Sequence, residues 1–138
     1  MTDPPEREAT ADAAGLPSLP LARLLGIETV EANPRRVLAR LTVREDMCTT
    51  GGILHGGAFM TLADTAGAIG AFLNLREGAH TTTIESKTNF LGAAPLGAVV
   101  TAEATPVHIG RRSSVWQTRI TNADGKLLAL VTQTQLTL

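Results

Sequence analysis

The sequence predicts an α+β domain, and three observations carry that expectation. One strand alternates between apolar and polar residues. One long stretch is apolar and helical, and four β-rich runs follow it, separated by short turns. Strands joined by short turns pair antiparallel, and a single apolar helix must lie against the sheet they form.

Residues 1 to about 18 are rich in Ala, Pro, Glu and Asp without periodicity. They read as a disordered or loosely packed tail, which leaves 19–138 as a single domain. The run LPLARLLGI from Leu19 to Ile27 suggests a short helical turn. In RRVLARLTVR, Val37, Ala39, Leu41 and Val43 point one way, and Arg36, Arg40, Thr42 and Arg44 point the other. The Gly-rich stretch TTGGILHGG follows at 49–57. Then comes AFMTLADTAGAIGAFLNL, proline-free and about 27 Å long at 1.5 Å per residue. Beyond Gly78 the helical signal ends. The runs HTTTIESKTNFL, AVVTAEATPVHI, RSSVWQTRITN and LLALVTQTQLTL are the four later strands. Asn122 to Lys126 form a hairpin loop with Gly125 at a position needing positive φ, and 95–97 and 109–112 supply the other turns.

Composition narrows the function classes. The chain has 138 residues, is 43% hydrophobic and 18% charged, and carries three Phe, one Trp and no Tyr. Its core must be filled by Ala, Val, Leu and Ile, so burial against a second copy would compensate for the missing aromatic area. A formal net charge of -1 gives no global field for nucleic acid. The lone Cys48 excludes an intramolecular disulfide and fits a reducing compartment. The N-terminus lacks the basic and apolar regions of a signal peptide. The expected location is the cytoplasm.

The helix carries the sharpest signal. Phe59, Leu62, Ala66, Ile69 and Leu73 recur at three and four residue steps as a core stripe. Asp64 lies nearly opposite, among Gly57, Met60, Thr61, Ala68 and Ala71. A lone helical Asp usually faces water, but a solvated face carries several Lys, Glu or Arg, and this one has none. A second surface packed there would leave Asp64 in a partly buried crevice, the setting in which functional carboxylates cluster. The stretch is long enough to span a bilayer, but Thr61, Asp64, Thr65, two internal glycines and the strand-rich remainder argue against that.

His55-Gly56-Gly57 stands at the helix entrance. First-turn N–H groups at the positive end of the dipole suit a developing oxyanion. The same glycines also suit a tight strand-to-helix turn at positive φ.

His55-Gly56-Gly57, six residues and then Asp64, within GGILHGGAFMTLADTAGA, closely resemble the phenylacetyl-CoA thioesterase-like (PaaI-like) family of hotdog proteins. The resemblance covers about residues 20–138, including the strand, helix, four-strand order. It implies a hotdog fold, with an antiparallel sheet wrapped around one long central helix. It implies homodimers that often assemble into homotetramers, with two active sites at each dimer interface. The activity it implies is acyl-CoA thioester hydrolysis. Asp64 of one subunit would act as nucleophile or general base, and the Gly56 N–H of the other would polarise the carbonyl. His55 would orient the loop or be a structural histidine, and Gly57 would line the same substrate-binding entrance. No cofactor is implied, since coenzyme A is part of the substrate, and no metal.

Two further catalytic positions come by the same resemblance. Thr49 stands where the family often has Asn to orient a water, and Thr83 corresponds to a hydroxyl residue that holds it. Phe90-Leu91-Gly92-Ala93 lacks the proline of the related segment, which bears on the acyl pocket. Gly110-Arg111-Arg112-Ser113 resembles the turn near the CoA phosphates, where guanidinium groups fit; a solvated hairpin turn is the plain alternative.

Other residues carry less. Cys48 has no Cys-His-Asn arrangement, and His80 and His108 have no metal-ligand spacing. Trp116 alternates with Thr118 and Ile120 and reads as core. A hydratase on this fold would pair its carboxylate with a histidine five residues on, where this sequence has Ile69. A non-catalytic acyl-CoA binder or sensor on the same fold is the remaining alternative, and the acyl group stays open.

Overall fold

The computed structural model describes Leu16 and residues 19–138. The expected tail lies outside the described residues except for Leu16, which is buried in the core. The elements in chain order are α1 (Pro20–Leu25), β1 (Glu28–Asn33), β2 (Arg36–Thr42), β3 (Cys48–Thr49), β4 (Ile53–Leu54), α2 (Gly56–Leu73), β5 (Thr81–Phe90), β6 (Val99–Ile109), β7 (Ser113–Thr121) and β8 (Leu127–Thr137). Six strands form one antiparallel sheet in the order β1-β2-β6-β7-β8-β5, and β3 and β4 make a separate small hairpin.

The sheet wraps around α2, which packs on β2, β5, β6, β7 and β8. This is the hotdog arrangement. Phe59, Leu62, Ala66 and Ile69 are buried as the periodicity requires, and Leu73 packs partly against them. Val37, Ala39, Leu41 and Val43 face the helix. So do Val100, Ala102 and Ala104 of β6, Trp116 and Ile120 of β7, and Ala129 and Val131 of β8. Small residues dominate, so the helix lies close to the sheet. Close approach reaches its limit at Gly70, where an added Cβ would sit 2.5 Å from the ring of the fully buried Trp116. By length and composition α2 could cross a membrane, but half of it is buried inside this domain as its core helix.

The structure adds a strand that the sequence pattern did not reveal. β1 pairs with β2 at the sheet edge, and its first four residues are exposed, so it shows no buried face to read. Four register shifts interrupt strand periodicity: one between Ile120 and Thr121 of β7, opposite the buried Leu128 of β8, and three bulges between Thr29 and Glu31, Thr83 and Glu85, and Pro106 and His108. The bypassed residues Val30, Ile84 and Val107 are all exposed. In β5 the bulge matters most. Thr81 and Thr83 face inward before it, and Ser86 and Thr88 face inward after it, which keeps Glu85 and Lys87 out of the core.

The glycine turns also differ from the expected arrangement. Positive φ occurs at Gly51 and Gly52, in the β3–β4 hairpin, rather than at the helix entrance. Gly56 and Gly57 are already helical. Gly125 takes positive φ in the hairpin loop where the sequence called for it, and Gly97 does so in the expected turn at 95–97.

Candidate active site

α2 begins at Gly56 because His55 caps it. The His55 Nδ1 accepts a hydrogen bond from the Gly57 N–H at 2.8 Å, so the neutral ring carries its proton on Nε2. The imidazole thus does the work usually given to Ser or Asp at this position. A Cβ at Gly57 would lie 3.0 Å from that same Nδ1, so glycine is what lets the ring fold back. The Gly57 N–H is therefore occupied within the chain. The Gly56 N–H has no acceptor among the described residues and stands at the positive end of an 18-residue helix. The ring of Phe90 lies beside Gly56, 3.2 Å from where a Cβ would be.

Asp64 lies two turns further along, partly buried. It lines a cleft of about 410 Å³ with Leu19, Leu21, Met60, Thr61, Ala68 and Ser86, among others. The surface expected opposite the core stripe is thus in part the chain's own α1. Thr83 Oγ1 donates to Asp64 Oδ1 at 2.6 Å, and Gln133 Nε2 donates to the same oxygen at 3.1 Å. Gln135 Nε2 donates in turn to Thr83 Oγ1, and Thr81 Oγ1 donates to Gln135 Oε1 at 3.0 Å. Asp64 Oδ2 has no hydrogen bond among the described residues. One carboxylate oxygen is pinned, and the other is open.

The structure therefore brings Thr83 and Asp64 into contact. Thr49 is exposed on β3, paired with Ile53, and its backbone carbonyl accepts from Gly52. Gly110, Arg111 and Arg112 line a second cleft, of about 520 Å³, at the far end of α2. Ser113 closes the turn, its carbonyl accepting from the Gly110 N–H at 2.8 Å.

Sequence reasoning missed four residues here. Arg76 lies in the loop after α2 and joins Arg111 and Arg112 in their cleft. Gln133 and Gln135 are each 1% exposed, in phase with the buried Ala129 and Val131 of β8. That alternation was the available signal, since polar residues on an apolar strand face need partners. Gly67 was the fourth. A Cβ there would lie 2.3 Å from Gln133 Oε1.

Cys48 is half-buried, its thiol donating to the Arg44 carbonyl at 3.3 Å. Ile69, where a hydratase would need histidine, is buried in the core. Among the described residues no three His, Cys, Asp or Glu side chains gather as metal ligands would.

Comparison with known proteins agrees with this fold. Residues 51–129, more than half of the chain, match the thioesterase superfamily. The chain is 34% identical over 110 residues to a 1,4-dihydroxy-2-naphthoyl-CoA hydrolase from Listeria monocytogenes, covering 80% of this chain and 89% of that one. A thioesterase structure from Haemophilus influenzae superposes with a TM-score of 0.81 at 31% identity, covering 86% and 82% of the two chains. The PaaI protein of the E. coli phenylacetic acid degradation operon superposes with a TM-score of 0.79 at 26% identity, covering 86% and 84%. With an antiparallel sheet around one long helix and a match spanning its centre, the chain belongs to the thioesterase superfamily, as a PaaI-like hotdog thioesterase.

Proposed function

We propose that the protein hydrolyses an acyl-CoA thioester to the free acid and CoA, with Asp64 as the catalytic carboxylate and the Gly56 N–H as the oxyanion donor. The observation that carries this is the state of Asp64: Oδ1 held by Thr83 and Gln133, Oδ2 unengaged, in a largely apolar cleft. Oδ2 either attacks the thioester carbon, forming a mixed anhydride that water then cleaves, or takes a proton from the attacking water. In both routes the C–S bond breaks and the CoA thiolate leaves, while the carbonyl oxygen gathers charge against the Gly56 N–H.

One chain cannot hold both groups on one carbonyl. Gly56 and Asp64 are separated by eight residues, about 12 Å along the helix. A second copy with an antiparallel α2 beside the first would bring its Gly56 toward this Asp64. The free edge of β5 offers a route to that pairing, since β5 is bonded only to β8 and open on its other side. The proposed unit is a homodimer with two shared sites, assembling into a homotetramer in the cytoplasm.

Substrate recognition divides between the two clefts. Arg76, Arg111 and Arg112 suit the CoA phosphates, with Gly110 and Ser113 shaping the turn. Leu19, Leu21, Met60 and Ala68 give the Asp64 cleft an apolar wall for the acyl group. The Listeria relative is named for an aromatic acyl-CoA, so aryl thioesters head the candidates. His55 positions the helix entrance as its cap.

The test is CoA release from a panel of aryl, medium-chain and short-chain acyl-CoAs by the parent and Asp64→Asn. Both must fold and assemble alike. The substitution keeps shape and removes the nucleophile or base, so the rate should fall at least about a hundredfold. CoA binding without hydrolysis of any panel member would instead make the protein an acyl-CoA binder.

A further inference from the structure

We infer that Gln133, seated against Gly67, is a positioning residue that sets which oxygen of Asp64 reacts, and that Gln135 locks the same arrangement from behind through Thr83. The inference rests on the role proposed for Asp64 and goes beyond it.

The hydrogen-bond directions leave little freedom. Gln135 Nε2 donates to Thr83 Oγ1, so the hydroxyl's own hydrogen is released toward Asp64 Oδ1, where the 2.6 Å contact lies. The orientation of Gln135 follows from Thr83: that hydroxyl's one hydrogen goes to Asp64, so it must accept from the Gln135 amide, which leaves the Gln135 oxygen to accept from Thr81 Oγ1. Gln133 has its orientation dictated by Asp64. Turned over, its amide oxygen would face a carboxylate oxygen at 3.1 Å. Both donors converge on Oδ1, so the carboxylate cannot rotate without losing two bonds at once. Oδ2 is thereby presented in one geometry.

This arrangement is costly, which is what separates it from ordinary packing. Gln133 is 1% exposed, and its Oε1 is buried without a partner among the described residues. An orphaned buried acceptor costs about 1–3 kcal/mol. The helix gives up more at Gly67. An interior glycine loses roughly 1 kcal/mol relative to alanine, and here alanine would collide with the Gln133 amide at 2.3 to 2.8 Å. Stability alone would favour an apolar residue at 133 and alanine at 67. Among the described residues, the only hydrogen bond the Gln133 amide makes is the one to Asp64.

The two roles predict opposite results for Gln133→Met, which keeps length and removes both the donor and the orphan oxygen. If Gln133 positions Asp64, kcat falls roughly ten- to hundredfold, the range for losing a hydrogen bond to a charged group, while KM stays nearly constant. The melting temperature stays level or rises. Gly67→Ala, which displaces the same amide from the helix side, should give the same split between kcat and KM. An unchanged kcat in Gln133→Met, beside an inactive Asp64→Asn, overturns the inference and leaves Asp64 in place. A loss of kcat that merely tracks a fall in melting temperature overturns it as well. Full activity in Asp64→Asn removes the role of Asp64 and this inference with it.

Discussion

Gly67 and Gly70 stand three residues apart on α2, and each lets a buried strand side chain lie where a helical Cβ would be. At Gly70 the neighbour is the indole of Trp116, fully buried, with its Nε1 donating to Ser114 Oγ at 3.0 Å. At Gly67 the neighbour is the amide end of Gln133, which reaches past the helix to Asp64. Both positions bring sheet and helix close. The first gains a well-packed aromatic ring that holds the fold together. The second gains an orphaned carbonyl and one oriented carboxylate. On the role proposed for Asp64, close packing serves stability at one site and chemistry at the other, one helical turn apart.

The same substitution at both sites should separate these purposes. Gly70→Ala has the larger effect. The indole cannot retreat, since it is enclosed on all sides and tied to Ser114. Overpacking of this kind costs about 1–3 kcal/mol, against roughly 1 kcal/mol regained in helix propensity. Thermal unfolding should show a melting temperature lower by several degrees, with kcat per folded molecule unchanged. A large loss of kcat at an unchanged melting temperature would break the comparison from the stability side.

Gly67→Ala should do the reverse. The clashing atoms are the far end of a flexible side chain, so the amide swings away and the gain in helix propensity offsets the disturbance. Stability should change little, while the kcat loss matches that of Gln133→Met. The double variant sharpens this further. Both changes remove one hydrogen bond, so combining them should lower kcat no more than either alone. Additive losses would mean that Gly67 acts through something other than Gln133.

The sequence showed one of these purposes better than the other. The stripe from Phe59 to Ile69 and the alternation from Val37 to Val43 obey simple periods, and both ended up in the core. Asp64 was visible because its helix face lacked other charges. Of its partners, Thr83 came only from the family resemblance and not from the strand pattern, and Gln133 and Gln135 were missed. Thr83 faces inward only because the β5 bulge at Ile84 shifts the phase of the strand, and a bulge leaves no mark in an alternation of Thr, Ser, Glu and Lys. Gln133 and Gln135 look like solvent-facing residues until Ala129 and Val131 fix which side of β8 is buried. β1 escaped for a simpler reason: an exposed edge strand has no apolar face to betray it. Arg76 joins Arg111 and Arg112 only through the fold, since the loop after α2 meets the β6–β7 turn 35 residues later.

A last substitution tests whether a buried orphan by itself signals function. Thr118 of β7 is fully buried, and its Oγ1 has no partner among the described residues, as with Gln133 Oε1. The difference lies in what else each side chain does. Gln133 spends its other end on Asp64, whereas Thr118 is paired on the sheet with Ala104 and Val131 and has no other polar atom. Thr118→Val keeps the β-branched shape and replaces the unpaired hydroxyl with a methyl. It should raise stability by about 1 kcal/mol or less, measurable as a small rise in melting temperature, and leave kcat and KM as they were. If Thr118→Val instead lowered kcat, the hydroxyl would be part of the polar arrangement behind Asp64. The division between a packing glycine and a positioning glycine would then have to be redrawn across the whole inner face of the sheet.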